Sequence, residues 1–230
     1  MKYSELNLGQ IEALGNKLGG MKGIEDILAG KLVVVPRGTQ LHFHTDLNLD
    51  IWTKVYDGIR FRDHLFRTEL PLVFKNSQSY WSVPVLSGLN FMMLVDAYRS
   101  LGIPVSDTYE GQIDRAVIQN DRDPSKGSYL AVFDRDSEPA VSNTSALQAR
   151  LGKICGSTLM ESMLLGLGYC IATSCNTDVR MHSVCSGSRD LKGDVPRIHF
   201  NGPDLVIGRQ PESLCEKHWA IRQLAFPPAN

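Results

Sequence analysis

A few side chains in this sequence have types and spacings from which chemistry could arise. His182 and Cys185 are the residue types of a nucleophilic pair, in which an imidazole takes the proton of a thiol. Residues 181–185 have the pattern of a strand, however, and an offset of three places two side chains on opposite faces of a strand. We therefore expect Cys185 to be a buried structural cysteine.

Two other groups have the residue types of metal ligands. Asp134, Asp136 and Glu138 follow a predicted strand and could hold a hard cation through their carboxylates, but an acidic turn is the favoured interpretation. His42 and His44 share one side of an extended segment, and no third ligand stands at the spacing of a zinc motif. We predict no metal site.

Motifs of the common enzyme classes are missing from the sequence. It has no Gly-x-x-x-x-Gly-Lys-Ser/Thr, no Gly-x-Ser-x-Gly and no His-Glu-x-x-His. The glycines from Gly15 to Gly23 stand between two predicted helices rather than after a strand, which favours a helix-pair turn. The sequence therefore predicts no catalytic residue and no cofactor.

The most informative pattern lies near the C-terminus, where apolar residues alternate with residues of no common chemical type. Ile198 and Phe200 can point to a core while their neighbours point outward, because successive side chains of a strand lie on opposite faces. Residues 201–204 have the composition of a turn between two such runs. The segment predicts a hairpin with one buried and one displayed face, and mixed chemistry on the displayed face is typical of a binding surface.

The elements that must position this hairpin divide into three parts. Residues 1–35 have the helical periodicity and glycine stops of a helical hairpin module, which is too small for an ample core of its own. We expect it to dock on another surface, its own copy in a second subunit being one option. Residues 36–50 predict a linker, and residues 51–230 predict one α+β domain.

Periodicity also predicts the elements of the α+β domain. Residues 52–56 are expected to be extended, whereas helical spacing of apolar residues occurs in 90–101, 106–119 and 157–172. Strands are predicted at 128–133, 181–185 and 219–226.

Composition limits the classes of partner. The chain is 43% hydrophobic and 21% charged with a net charge of −1, so nothing indicates bulk attraction to nucleic acid or an anionic membrane. No apolar run is long enough to span a bilayer, and residues 1–7 lack the basic region and apolar run of a signal peptide, so we expect none. We expect a cytoplasmic location, with export by an unrecognised route left open. The five cysteines include no Cys-x-x-Cys pair and are expected to be reduced.

Several short segments, taken in order, resemble the C-terminal part of certain C-type-lectin-fold proteins. They are residues 185–189, Gly193-Asp194-Val195-Pro196, Ile198-His199-Phe200, Leu205-Val206-Ile207 and Arg222-Gln223. The proteins are the target, or variable, proteins of diversity-generating retroelements, and the same ending is similar to that of formylglycine-generating-enzyme-like lectin folds. Residues 5–35 are similar to a small helical module that precedes such domains. The chain departs from the pattern at Phe200 and Arg209, where the family often has Trp, and near its end, where the family often reads Leu-Arg-x-Arg-Gln.

The resemblance implies an α+β, C-type-lectin-like fold whose C-terminal face binds a ligand and is rewritten by reverse-transcription errors at template adenines. Codons of the asparagine type, randomised at their first two bases, cannot encode Lys, Gln, Glu, Met or Trp, which makes Gln210 and Trp219 poorer candidates. The candidate ligand-binding residues are Asp190, Asp194, Arg197, His199, Asn201, Asp204, Val206, Gly208, Arg209 and His218.

The leading hypothesis is a non-enzymatic protein that binds an unknown protein or surface ligand through this face. One alternative is an enzyme of the formylglycine-generating type, which would oxidise a cysteine of a client protein and for which Cys170 and Cys175 are the one close thiol pair. The other alternative is a structural or assembly protein that forms a homo-oligomer through residues 1–35.

Overall fold

The computed structural model describes residues 49–67 and 80–226 of the chain. The predicted helical module, most of the predicted linker, and His42 and His44 lie outside these residues. The described residues form an α+β arrangement. Its helices are α1 (Leu49–Gly58), α2 (Arg62–Arg67), α3 (Phe91–Ser100), α4 (Ile113–Ala116), α5 (Ala146–Leu151) and α6 (Leu159–Thr173). Its strands are β1 (Tyr80–Val85), β2 (Val105–Asp107), β3 (Val117–Asn120), β4 (Tyr129–Asp134), β5 (Val141–Ser142), β6 (His182–Val184), β7 (Ser188–Asp190), β8 (Val195–Asn201), β9 (Asp204–Gln210), β10 (Trp219–Ile221) and β11 (Leu224–Phe226).

The strands form three sheets. The largest has six strands in the order β2-β9-β8-β6-β10-β5, with antiparallel pairs except for β2 beside β9 and β6 beside β10. A three-stranded antiparallel sheet has the order β1-β4-β11, and β3 pairs with β7 alone. The long β8–β9 hairpin therefore lies inside the largest sheet, where β6 and β2 hold its two outer sides.

Helix α6 is the centre of the main hydrophobic core. Thr158 and Glu161 cap its start reciprocally, each side chain accepting a hydrogen bond from the other residue's backbone N–H. Two glycines on this helix leave room for aromatic side chains that pack closely against it. A Cβ at Gly166 would lie 2.4 Å from the Tyr98 hydroxyl, and one at Gly168 would lie 2.9 Å from the Trp52 ring. These two aromatic side chains, from α3 and α1, are fully or almost fully buried against the helix.

Three of the predicted elements differ from the structure. Residues 52–56 belong to α1 and are not extended. Ile51, Trp52, Val55 and Tyr56 are buried, and their spacing is that of one helix face. The helical pattern over the ten residues of α1 outweighs the β propensity of the short run.

Residues 106–119 are not one helix. The Asp107 carboxylate accepts hydrogen bonds from the N–H groups of Tyr109, at 2.8 Å, and Gly111, at 3.2 Å, and Gly111 has a φ of +75°. This turn separates β2 from the single turn of α4, which passes directly into β3 at Val117.

The predicted last strand, 219–226, is divided between two sheets. Arg222 turns into the interior, where its guanidinium lies 2.7 Å from the Asp178 carboxylate and 2.9 Å from the carbonyl oxygens of Asp136 and Ser137. Strand β10 therefore ends at Ile221 in the largest sheet, and β11 begins at Leu224 in the three-stranded sheet. None of the described helices has the length and apolar character that crossing a bilayer requires.

Candidate ligand-binding face

Strands β8 and β9 alternate as the sequence predicts. Ile198, Phe200, Leu205 and Ile207 are at most 3% exposed and belong to the main core. Their neighbours along each strand are half-buried or exposed, apart from the side-chain-free Gly208. The predicted division of this hairpin into an inward and an outward set is confirmed.

Strand pairing extends the outward set across five strands. Directly paired residues point to the same side of a sheet, and Ser106 pairs with Val206, while Trp219 pairs with His182. The antiparallel register of β6 and β8 places His182 on the same side of the sheet as His199. We define the outer face by Ser106, His182, Arg197, His199, Asn201, Asp204, Val206, Gly208 and Trp219.

One end of this side of the sheet is covered and the other end is open. Ala146 and Ala149 of α5 pack there against Val184, Val195 and Ile221 in a second hydrophobic cluster. Trp219 belongs to the same cluster and marks the boundary of the covered part. Beyond this boundary Ser106 and Asn201 are exposed, and the side chains between them on the outer face are partly exposed.

The centre of the outer face is a cluster of basic and aromatic side chains. The His182 and His199 rings are stacked, with their centroids 3.6 Å apart and their planes 9° apart. The Arg197 guanidinium contacts His182 Nδ1 through Nη1 and lies over the Trp219 ring, 5.0 Å from its centroid. Gly208, opposite Arg197 on β9, makes room for this side chain, since a Cβ there would lie 3.0 Å from Arg197 Nε.

This cluster favours neutral imidazoles. Burial, together with the neighbouring His199, Arg197 and His218, lowers the pKa of His182 to about 4. Burial and Arg197 also lower the pKa of His199. Burial lowers the pKa of Arg197 itself. The face therefore concentrates groups that a nearby anion would stabilise in their charged forms.

No protein-family model, no curated protein and no solved structure matches this chain. The interpretation of the face rests on its own geometry and on the sequence pattern.

The structure brings together six of the ten predicted ligand-binding residues: Arg197, His199, Asn201, Asp204, Val206 and Gly208. Arg209 is not among them. It follows Gly208 directly, so it points to the opposite side of β9, where it lies over the Tyr109 ring and 3.6 Å from the Asp190 carboxylate. The prediction that Gly208 and Arg209 share a surface is wrong for this reason.

Asp190 and Asp194 shape the turn between β7 and β8. The Asp190 side chain is buried and accepts hydrogen bonds from the backbone N–H groups of Lys192, at 2.8 Å, and Asp194, at 3.0 Å. Asp190 is therefore a structural residue rather than part of the displayed surface. His218 is exposed just before β10, and its carbonyl accepts a hydrogen bond from the His182 backbone.

The other groups that could do chemistry have structural partners. Cys185 is fully buried, as predicted, and contacts the Ser162 hydroxyl at 3.5 Å, while burial raises the pKa of its thiol to about 12. The Glu138 carboxylate accepts hydrogen bonds from three successive backbone N–H groups, those of residues 179–181. The Glu138 side chain therefore stabilises the backbone of residues 179–181. Within residues 49–67 and 80–226, no group of three or more potential ligands is placed to hold a metal ion.

His182, Ser106 and Trp219 belong to the face but are not among the ten predicted ligand-binding residues. His182 and Ser183 alternate outward and inward as the hairpin residues do, and this local signal could have identified His182. Trp219 is a poorer candidate from the sequence, because randomised asparagine-type codons cannot encode it. It reaches the face through parallel pairing with β6, which no local pattern indicates.

Proposed function

We propose that this chain is a non-enzymatic ligand-binding protein that uses the outer face as its recognition surface. The observation that carries the proposal is the separation of two tasks within one hairpin. Ile198, Phe200, Leu205 and Ile207 hold the hairpin in the core, while six neighbours of mixed chemistry share the other side. Side chains that enter no packing layer can be exchanged with little loss of folding energy.

The position of the hairpin also supports a binding role. β8 and β9 lie between β2 and β6, so the face is built on a rigid backbone whose ladder hydrogen bonds are satisfied on both sides. A binding surface on such strands is held more firmly than one on loops. Affinity would then come from a few of its side chains, with the rest supplying complementarity.

We further propose that the domain has a C-type-lectin-like fold and is the target protein of a diversity-generating retroelement. The support is the order of short segments that resemble this group. Among them, Ile198, Phe200, Leu205 and Ile207 are core residues, as the resemblance expects for a scaffold that must stay constant. The candidate variable positions fall mainly on the outer face.

The alternative of a cysteine-oxidising enzyme has less support. Burial and the neighbouring Cys175 raise the pKa of Cys170, so its reactive thiolate is scarcer than in an ordinary cysteine. Cys185 is buried against Ser162, and this burial raises the pKa of its thiol to about 12. Neither environment favours a nucleophilic thiol, which supports the binding hypothesis over this one.

A randomised library tests whether the face can be re-specified. Arg197, His199, Asn201, Asp204 and Val206 would be randomised together and displayed on yeast, with lysozyme as an arbitrary target protein. We expect most members to fold and some to bind lysozyme. A matched library at Ile198, Phe200, Leu205 and Ile207 should lose folding. If the outer-face library is as poorly folded as the inner one, the proposal fails.

The genetic part of the proposal has a separate test. DNA next to the gene should encode a reverse transcriptase and hold a near-copy of the 3′ coding segment that differs at adenines. A locus with neither feature would leave the binding face without a diversifying mechanism and would defeat the retroelement assignment alone.

A further inference from the structure

We propose that the outer face takes an acidic peptide segment of a partner protein, with a carboxylate of that segment bound to the Arg197 guanidinium beside His182 and His199. This inference rests on the proposed function and names the ligand chemistry of the same face.

Arg197 differs from every other described arginine that is not exposed. Each of the others has a carboxylate within 4.0 Å, whereas Arg197 has a histidine and a tryptophan ring as its neighbours. The paired arginines and their partners are Arg122 with Glu161, Arg189 with Glu212, Arg209 with Asp190, and Arg222 with Asp178.

The surroundings of Arg197 leave part of its hydrogen-bonding capacity unused. Its Nε is buried without a hydrogen-bond partner among the described residues, and burial lowers the pKa of the guanidinium. Glu216 is the acidic residue that acts on it through charge, but Glu216 is exposed and makes no ion pair with it in the described part of the chain. A partly buried cation without a paired anion is costly, and a carboxylate that approaches the accessible side of the guanidinium can offset this cost with a charge-assisted hydrogen bond.

The guanidinium is already held in place for such a partner. Its stem lies over Gly208, where a Cβ would come within 3.3 Å of both Cγ and Cζ, and its head lies between His182 and the Trp219 ring. Immobilising a long side chain usually opposes binding. Here the fold has restricted the rotamers of Arg197 before the ligand arrives, so less entropy is lost on binding.

The two histidines add to the preference for an anion. His199 Nδ1 is buried without a partner among the described residues, and its ring stacks on that of His182. Both imidazoles lie next to Arg197, and their pKa values are lowered by burial and by that positive neighbour. A carboxylate placed here would stabilise the charge of Arg197 and the protonated forms of the two imidazoles, whereas a second cation would destabilise them.

The dimensions of the face favour a peptide. It extends over five neighbouring strands, from β2 to β10, which is about 19 Å at the usual strand spacing. An extended peptide of about six residues has that length. Val206, which is half-buried beside the cluster, is a short side chain past which the peptide backbone can run. The protein's net charge of −1 gives acidic chains no general attraction, so a preference for them would have to come from the local cluster.

A phage-displayed library of random peptides, selected on the intact chain, is the probe that tests this inference. We expect the selected peptides to share an acidic residue at one position. Replacing that residue by its amide should weaken binding on the order of 10-fold or more, and Arg197→Gln should do the same. Combining the two changes should add little to either alone, because both remove the same ion pair.

Two variants complete the design. Arg135→Gln is the matched control, because Arg135 is exposed and lies over another tryptophan, Trp81, outside the outer face. It should leave affinity unchanged. Arg197→Lys keeps the charge without the two-pronged geometry and should retain part of the affinity, which covers the case in which Arg197→Gln folds poorly.

The outcomes separate this inference from the proposed function. One outcome is that the selected peptides share no acidic residue and yet bind the Val206→Asp variant more weakly than the unchanged protein. That result would keep the outer face as the binding surface and overturn the carboxylate inference. Peptides indifferent to every outer-face substitution would overturn both. A selection that yields no binder also overturns the peptide inference, while the lysozyme library remains as the separate test of the face.

Discussion

The imidazole rings of His182 and His199 stack across neighbouring antiparallel strands, with centroids 3.6 Å apart and planes 9° apart. Two protonated rings at this separation would repel each other, and Arg197 adds a third positive charge beside them. The pair is therefore compatible with the folded protein chiefly in its neutral form. This makes the outer face a source of pH dependence as well as a candidate binding surface.

We predict that the protein loses stability as pH falls from about 6.5 towards about 4. Burial, His199, Arg197 and His218 lower the folded pKa of His182 from 6.5 to about 4, and burial lowers that of His199. The unfolded chain then binds more protons than the folded chain between these values, so the free energy of unfolding increases with pH across this window. Urea unfolding at a series of pH values measures the slope.

Two substitutions assign that slope to the stacked pair. His182→Gln removes one titrating ring and should flatten the dependence between about pH 4 and 6.5. His218→Gln changes an exposed histidine next to the same face and should preserve most of it. An unchanged slope in His182→Gln would show that acid sensitivity arises elsewhere in the chain.

A second prediction concerns adjacent residues of β9. Ile207 is fully buried in the main core, whereas Val206 is half-buried on the outer face. Ile207→Ala should lower the free energy of unfolding by about 2–5 kcal/mol, because it leaves a cavity. Val206→Ala should change it by at most about 0.5 kcal/mol. Chemical denaturation compares the two, and equal losses would mean that both sides of β9 are packed.

Local alternation was enough to predict the hairpin, because the side-chain period of a strand depends only on the strand itself. Ile198 and Phe200 therefore fall in the core as expected. The same rule excludes Gly208 and Arg209 from a common surface, since they are consecutive, so that error was avoidable from sequence. Residues 52–56 were ambiguous for another reason: a short apolar run fits a strand or a buried helix equally well until its flanks are considered.

The composition of the face depends on pairing between distant segments. His182 and Trp219 meet because β10 lies parallel to β6, and residues 182 and 219 are far apart in sequence. Likewise, β10 ends where Arg222 forms its ion pair with Asp178. The alternation of apolar and polar residues along the strand does not indicate this contact. Long-range register of this kind is decided by the packing of the whole domain and not by local propensity.

We predict that the buried ion pair between Arg222 and Asp178 is essential for stability. Arg222 joins Asp178 to the carbonyl oxygens of Asp136 and Ser137, and the side chains of Arg222 and Asp178 are at most 4% exposed. Arg222→Ala should cost about 3–5 kcal/mol, because it leaves the Asp178 charge buried without its partner.

Arg180→Ala is the control for that substitution. Arg180 lies 3.7 Å from Glu138 with 82% of its side chain exposed, so its loss should have little effect on unfolding by urea. A double-mutant cycle of Arg222→Ala with Asp178→Ala should show strong coupling. Simple additivity of the two changes would mean that the pair contributes little as a pair.

We predict that thiol reactivity follows burial in this chain. Cys175 and Cys215 are exposed, whereas Cys185 is fully buried and burial raises its pKa to about 12. In the folded protein a thiol reagent at neutral pH should label Cys175 and Cys215 first and leave Cys185 unlabelled until urea unfolds the chain. Mass spectrometry of the labelled peptides identifies the sites. Rapid native labelling of Cys185 would reopen the enzyme alternative.

The last prediction uses Gly208 to separate the position of Arg197 from the stability of the sheet. A methyl group at residue 208 would lie 3.0 Å from Arg197 Nε and 3.3 Å from its Cγ and Cζ, and these atoms belong to a side chain that can move. Gly208→Ala should therefore displace the guanidinium, weaken a selected acidic peptide severalfold and change the free energy of unfolding by less than about 1 kcal/mol. In an Arg197→Ala background the same glycine substitution should have no further effect on affinity, because the displaced group is absent.

Gly58→Ala is the matched control for Gly208→Ala. A Cβ at Gly58 meets nothing within 4 Å, and Gly58 lies in α1, which contributes no residue to the outer face. If Gly208→Ala destabilises the protein by several kcal/mol and leaves affinity intact, the backbone yields instead of Arg197, and the guanidinium is not the group that the ligand recognises.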